Sequence, residues 1–220
     1  MLHKLRQLSA PEIQVLLEPG RLHGLMLLEL LLLELQQRRS IRLVEQIRRG
    51  QPQLQVELLP HQVLPQRAYE RMLFTALERG GGCLSLAALL AQARAWYGHS
   101  CARLHYEMIL PDLIEQGYIR AEAGGLFRRT HYLHTPKGQY LLENLLSRLS
   151  QTRNIAKMLH TDSAAADQLL RLVGSTALLL PELQPEHSAL HRALFPHGGG
   201  LAQPRAPGVG VQPSLLVTPR

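Results

Sequence analysis

A chain of 220 residues is long enough for one large domain or for two small ones sharing a core. A formal net charge of +7 points to anionic partners, nucleic acid or an acidic membrane surface, although acids interleaved with the basic residues also fit a plain solvated surface. Two cysteines, Cys83 and Cys101, exclude a disulfide framework and fit a reducing, cytoplasmic compartment.

Leu dominates and aromatics are scarce, a composition that favours helix packing over a large sheet. Ser9-Ala10-Pro11-Glu12 has the pattern of a capping box with proline in the first turn, so a short helix carrying Ile13, Val15, Leu16 and Leu17 should begin there and stop at Pro19-Gly20. A second helix is expected over 22–37. Its leucines leave only Glu29 and Glu34 as acids, and a helix apolar on nearly every side is central to a core. The apolar run is too short to span a membrane and lacks a cleavage pattern. Residues 40–44 and 54–58 alternate with period two around a polar turn, which predicts a hairpin with Ile41, Leu43, Leu54, Val56 and Leu58 on its inner face. Residues 60–65 read as a connector.

A second set of elements follows. Residues 66–79 are amphipathic, with Tyr69, Leu73, Phe74 and Leu77 on one face, and Gly80-Gly81-Gly82 is read as a linker ending that helix. Another helix is expected over 85–96. A third begins near Cys101, with Leu104, Met108, Leu113 and Ile114 inward and Pro111 expected to kink or shorten it. Strands at 118–120 and 127–133 then flank Gly124-Gly125, and a helix starts at Thr135-Pro136. Further helices are expected over 164–180 and 186–194, before a Gly- and Pro-rich tail that reads as disordered.

The run Tyr132-Leu133-His134-Thr135-Pro136-Lys137-Gly138-Gln139-Tyr140 resembles the junction between wing and last helix in PadR- and MarR-type regulators. The likeness covers about forty residues and implies a winged-helix module whose third helix and wing meet DNA, with terminal helices that dimerise. The Leu27-Leu28-Glu29-Leu30 helix followed by Ile41-Arg42-Leu43 is more weakly similar to the Golgi phosphoprotein family, which implies binding to phosphoinositide headgroups and membrane-protein tails. The arrangement also resembles paired winged-helix-like cytoplasmic domains of bacterial membrane proteins.

The fold expected is therefore mainly α: tandem winged-helix-like units with two small β-hairpins and a helical C-terminal extension. The units span 1–59 and 66–150, the extension 151–195 and the tail 196–220. Candidate contacts to nucleic acid or another anionic ligand are Arg103 and Tyr106 on the third helix, Arg128, Arg129 and Lys137 around the wing, and Arg48 and Arg49 at the first hairpin. Glu107, Asp112 and Glu115 on the third helix would repel a phosphate backbone. The function expected is a non-enzymatic winged-helix regulator or adaptor binding nucleic acid through the second unit and its wing. The alternative is a scaffold for a protein partner or an anionic membrane surface. The stripe Leu141, Leu145 and Leu149 would pair with a second copy or pack on its own domain. His99, Cys101 and His105 are close in sequence, and His187 and His191 have helical ligand spacing, but neither set completes a zinc shell. No phosphate-binding loop, nucleophile elbow or dinucleotide fingerprint is present, so no metal, cofactor or catalysis is expected.

Overall fold

The computed structural model describes residues 8–21, 24–48, 51–60, 65–123, 130–158, 178–179 and 187–195. These form a mainly helical protein with two small antiparallel sheets. Helix α1 (Ala10–Leu17) begins where the sequence indicates: Ser9 Oγ accepts from the Glu12 amide and the Glu12 carboxylate accepts from the Ser9 amide. Helix α2 (Gly24–Gln37) is buried along most of its length, with Leu27, Leu28, Leu31, Leu32 and Leu35 inaccessible. Gly24 is required at its start, because an added Cβ would overlap the Ser100 carbonyl oxygen.

Strands β1 (Ile41–Arg48) and β2 (Gln51–Leu58) form the first hairpin, with Ile41 opposite Leu58 and Leu43 opposite Val56, as the alternation requires. After α3 (Ala68–Arg79), Gly80-Gly81-Gly82 makes a tight reversal rather than a linker. Gly81 has φ 73°, and the amides of Gly81 and Gly82 return to Glu78 and Leu77. The reversal delivers a three-residue strand, β3 (Cys83–Ser85), onto β2, giving the order β1-β2-β3. Elements on both sides of the 60–65 connector thus share one sheet, and their buried residues form one cluster.

Ser85 caps α4 (Leu86–Tyr97). The third helix is not uniform. Its residues Leu104–Ile109 take a π-helical turn, in which the Leu110 amide reaches back five residues to the His105 carbonyl, and α5 (Leu110–Glu115) follows. Pro111 has no amide to give and its ring would crowd the carbonyl four residues earlier. The wider turn before it lets the helix continue, where the sequence suggested a kink or a shortening. Gly117, at φ 71°, ends α5 with paired returns from Gly117 and Tyr118 to Ile114 and Leu113.

Strands β4 (Ile119–Glu122) and β5 (His131–His134) form the second sheet. Helix α6 (Pro136–Met158) starts where Gly138 sits against the Tyr118 carbonyl oxygen, a position that an added Cβ would occupy. It runs through residue 150, where the sequence had placed a boundary. Helix α7 (His187–Leu194) returns to α2 and β2. The tail from 196 and most of the helix expected over 164–180 lie outside the described residues. Leu178 and Leu179 are described, the first buried and the second packed against the core.

Candidate functional site

The β1–β2 hairpin is longer than its support. Strand β3 pairs only with Gln55, Val56 and Glu57, so the pairs Gln46–Gln53, Ile47–Pro52 and Arg48–Gln51 extend past the three-stranded part. Ile41, Leu43, Glu45 and Ile47 share one face by the period of a strand. Ile41 is buried and Leu43 half-buried, whereas Ile47 is 80% exposed. The inner face of the hairpin has run beyond the core that it covers. Arg48 ends β1, with its side chain outside the described residues, and Arg49 is also outside them. Inspection of the sequence missed Ile47. The signal was the continuation of the inner-face alternation up to the Arg48-Arg49 turn.

The third helix carries the other exposed candidates. Arg103 and Tyr106 are both exposed, three residues apart. The Arg103 guanidinium is engaged, with Nε 3.2 Å from the Glu107 carboxylate, both side chains standing more than half in solvent. Glu115 is also exposed, and Asp112 is half-buried. Arg120 pairs with Glu122 at 3.1 Å rather than with an acid of the third helix. The surface of this helix is thus mixed, not basic. Tyr106 leans on the buried ring of His105 at 4.5 Å, and His105 Nε2 lies 3.1 Å from the Pro19 carbonyl oxygen.

Lys137 is exposed and engaged by its own fold. Its Nζ donates to the Gln116 carbonyl at 2.7 Å and lies 4.5 Å above the Tyr118 ring, holding the end of α5 by a charge-assisted bond and a cation–π contact. It stands at the opposite end of the third helix from Arg103, roughly 20 Å away by helical rise. Arg128 and Arg129 lie outside the described residues. The structure therefore brings Arg103 and Tyr106 together and leaves Lys137 apart from them.

The dimer stripe is partly the chain's own core. Leu145 is buried and Leu141 packs against the core, while Leu149 is half-buried. A pairing face centred on Leu145 is therefore taken up internally. Tyr140 and Leu146 are exposed apolar residues on the part of α6 whose side chains are described.

A buried ionic cluster joins α1, α2 and the start of α3, and no sequence pattern signals it. Arg67 donates from Nε and Nη2 to both oxygens of Glu12, each at 2.8 Å, and lies 3.4 Å from Glu70. Arg38 reaches the same Glu70 at 2.8 Å, and Glu34 accepts from the Ala10 amide at 2.8 Å. Burial alone would lower the Arg67 pKa. The bonds to Glu12, with the charges of Tyr69, Glu12 and Glu34, reverse that and hold it above its ordinary range. Burial, reinforced by the charge of Glu12, pushes the Tyr69 hydroxyl well up, and Ser9 Oγ sits 2.9 Å from it. Glu12, Glu34, Arg67, Tyr69 and Glu70 are buried and only Arg38 is partly open to solvent, so the cluster is structural. A bidentate pair with every charge answered is the arrangement in which burying ions is tolerable.

Two further histidines bond separately within the fold. His134 Nε2 bonds the Leu16 carbonyl oxygen, and His191 Nδ1 lies 3.1 and 3.2 Å from the two oxygens of Glu29. Among the described residues no three His, Cys, Asp or Glu side chains converge as a metal site. Cys101 is buried, which pushes its thiol up against the opposing pull of Arg94. No helix among the described residues is long and apolar enough to cross a membrane. The chain matches no family model, no curated protein and no solved structure.

Proposed function

We propose that this protein is an adaptor that docks on an anionic membrane surface through the overhanging end of the β1–β2 hairpin. The observation that carries this reading is Ile47, 80% exposed on the overhang and followed directly by Arg48 and Arg49. An isolated exposed isoleucine means little. One at the end of a projecting ribbon beside two arginines has the chemistry of an interfacial anchor: an apolar tip entering the acyl boundary and cations among the headgroups. The net charge of +7 favours approach to such a surface.

We read the scaffold as two winged-helix-like units. The order α3, β3, α4, third helix, β4, β5 supports that reading for the second. It departs from a free-standing unit in that β3 joins the first hairpin instead of the wing. Nucleic acid is the second reading, favoured by the shared exposure of Arg103 and Tyr106 on one turn. It stands behind the first because Glu107 already occupies Arg103 and Glu115 faces outward.

Flotation with neutral phosphatidylcholine vesicles, and with vesicles holding about one fifth phosphatidylserine, tests the choice. Binding is expected only to the anionic vesicles and should weaken with salt. Replacing Arg48 and Arg49 by Ala should weaken it roughly thirtyfold, at about 1 kcal/mol per arginine. Ile47→Ser should weaken it without changing the salt dependence. Equal binding to neutral vesicles, or an Ile47→Ser protein that binds like the parent, overturns the reading. Tighter binding to a labelled duplex than to vesicles would favour nucleic acid instead.

A further inference from the structure

The first sheet has the order β1-β2-β3, so β1 is one of its edges. Two bonds of the same ladder tell which backbone groups of β1 lie on that edge. The Leu59 amide donates to the Ser40 carbonyl at 3.1 Å, whereas the Leu58 amide turns the other way, to the Gly82 carbonyl at 2.7 Å. Leu58 is opposite Ile41. By the alternation of an antiparallel ladder, the even residues of β1 bond β2, and Leu43, Glu45 and Ile47 direct their amides and carbonyls outward with Ile41. From Arg42 to Ile47 every residue is exposed or half-buried.

Natural edges are blunted by proline, bulges or charge. Strand β1 holds no proline, and its eight residues pair with β2 without a bulge. Its Arg42 leans away from the edge, across the sheet, where Nη2 meets its β2 neighbour Glu57 at 2.6 Å. The strand is therefore a template for a further strand.

We propose that two copies of this chain pair through the outer edges of β1, antiparallel, with Val44 opposite Val44. The strand selects a second copy because it is complementary to itself in that register. Edge-facing residues must meet edge-facing residues, which leaves few registers. Centred on Val44, the pairing sets Ile47 opposite the second copy's Ile41, Glu45 opposite Leu43 and Arg42 opposite Gln46, so no like charges meet. Centred on Glu45, it opposes Glu45 to Glu45 and Arg42 to Arg48, two repulsive pairs. Centred on Leu43, it sets Ile41 against Glu45 and carries Ile47 past the start of the other strand. Registers further out overlap less of the strand. The Val44 register provides about eight main-chain hydrogen bonds about its two-fold axis. It also lays Ile47, 80% exposed, beside Ile41, which the core covers almost completely. The overhang of each ribbon thus rests along the covered end of the other. The pairing stands independently of membrane docking and competes with it, since it sets Arg48 of each ribbon beside Ser40 of the other.

Sedimentation velocity of the full chain without lipid, from about 1 to about 200 μM, should show a reversible dimer, held in the micromolar range or more weakly by so small an interface. Val44→Cys should cross-link to itself under mild oxidation, because a pair without mutual hydrogen bonds holds its Cβ atoms about 4.5 Å apart, within disulfide reach. Gln46→Cys should not, since its own copy lies about 13 Å along the strand. Val44→Lys and Val44→Glu should each weaken the dimer roughly fivefold by opposing like charges. Their equimolar mixture should dimerise again, which also shows that both variants are folded. A parent that stays monomeric throughout overturns the proposal. So does cross-linking of Gln46→Cys in preference to Val44→Cys, or a Val44→Lys protein that dimerises like the parent. Lipid is absent from every arm, so this proposal and the membrane reading fail separately.

Discussion

Helix α2 buries two glutamates five residues apart, and the protein answers them in different ways. Glu34 is held by the first amide of α1, beside a cluster in which Glu12, Glu70, Arg38 and Arg67 satisfy one another. Glu29 meets the His191 imidazole, on a short helix 162 residues away in sequence. The first answer uses a backbone amide and guanidiniums, which keep their protons across the ordinary pH range, so it is permanent. The second is supplied by α7, so it depends on that helix staying packed against α2. The same leucine-rich helix thus has one fixed end, tied into a cluster with α1 and α3, and another met by a helix from far along the chain.

The comparison can be broken most forcefully at Arg67. Arg67→Ala takes the guanidinium from both oxygens of the buried Glu12 carboxylate and should destabilise the whole protein by about 3–5 kcal/mol, read as a shift in the urea midpoint at unchanged slope. A loss below about 1 kcal/mol would mean that water reaches the cluster, and the fixed end would not be fixed. Ser9→Ala removes the cap of α1 and the partner of the Tyr69 hydroxyl, and should cost about 1–2 kcal/mol in the same measurement. The smallest effect belongs to Arg103→Ala. Its pair with Glu107 is more than half in solvent, so stability should change by less than about 0.5 kcal/mol. A larger change would show that exposed pairs matter here as much as the buried cluster.

Much of the framework was legible because local chemistry dictates it. The Ser9–Glu12 box, the inner face of the first hairpin and the glycine endings at Gly81 and Gly117 are decisions made within a few residues, and each is found. Strand β3 was not legible, since three residues carry no readable period. The π turn was also hidden, because Pro111 signals a disturbance but not its form. Glu29 and Glu34 look like the polar side of a helix in sequence. Only packing shows that both are inside and need partners. Of the candidate contacts, Arg103 and Tyr106 are exposed as expected. Lys137 is exposed too, and its bond to a carbonyl at the end of α5 could not be read from the sequence, because that acceptor exists only once the helix is folded.

The shared sheet limits how the chain can be divided. An exchangeable module must carry its own sheet edges, and β2 has Ser85, Leu84 and Cys83 as its second neighbour. A fragment ending near Pro60 would bare the buried Val56 and present β2 as a raw strand edge, prone to pair with any other chain. Truncations and fusions that respect this architecture must therefore keep both sides of the 60–65 connector together, and the smallest transferable piece is larger than either apparent half.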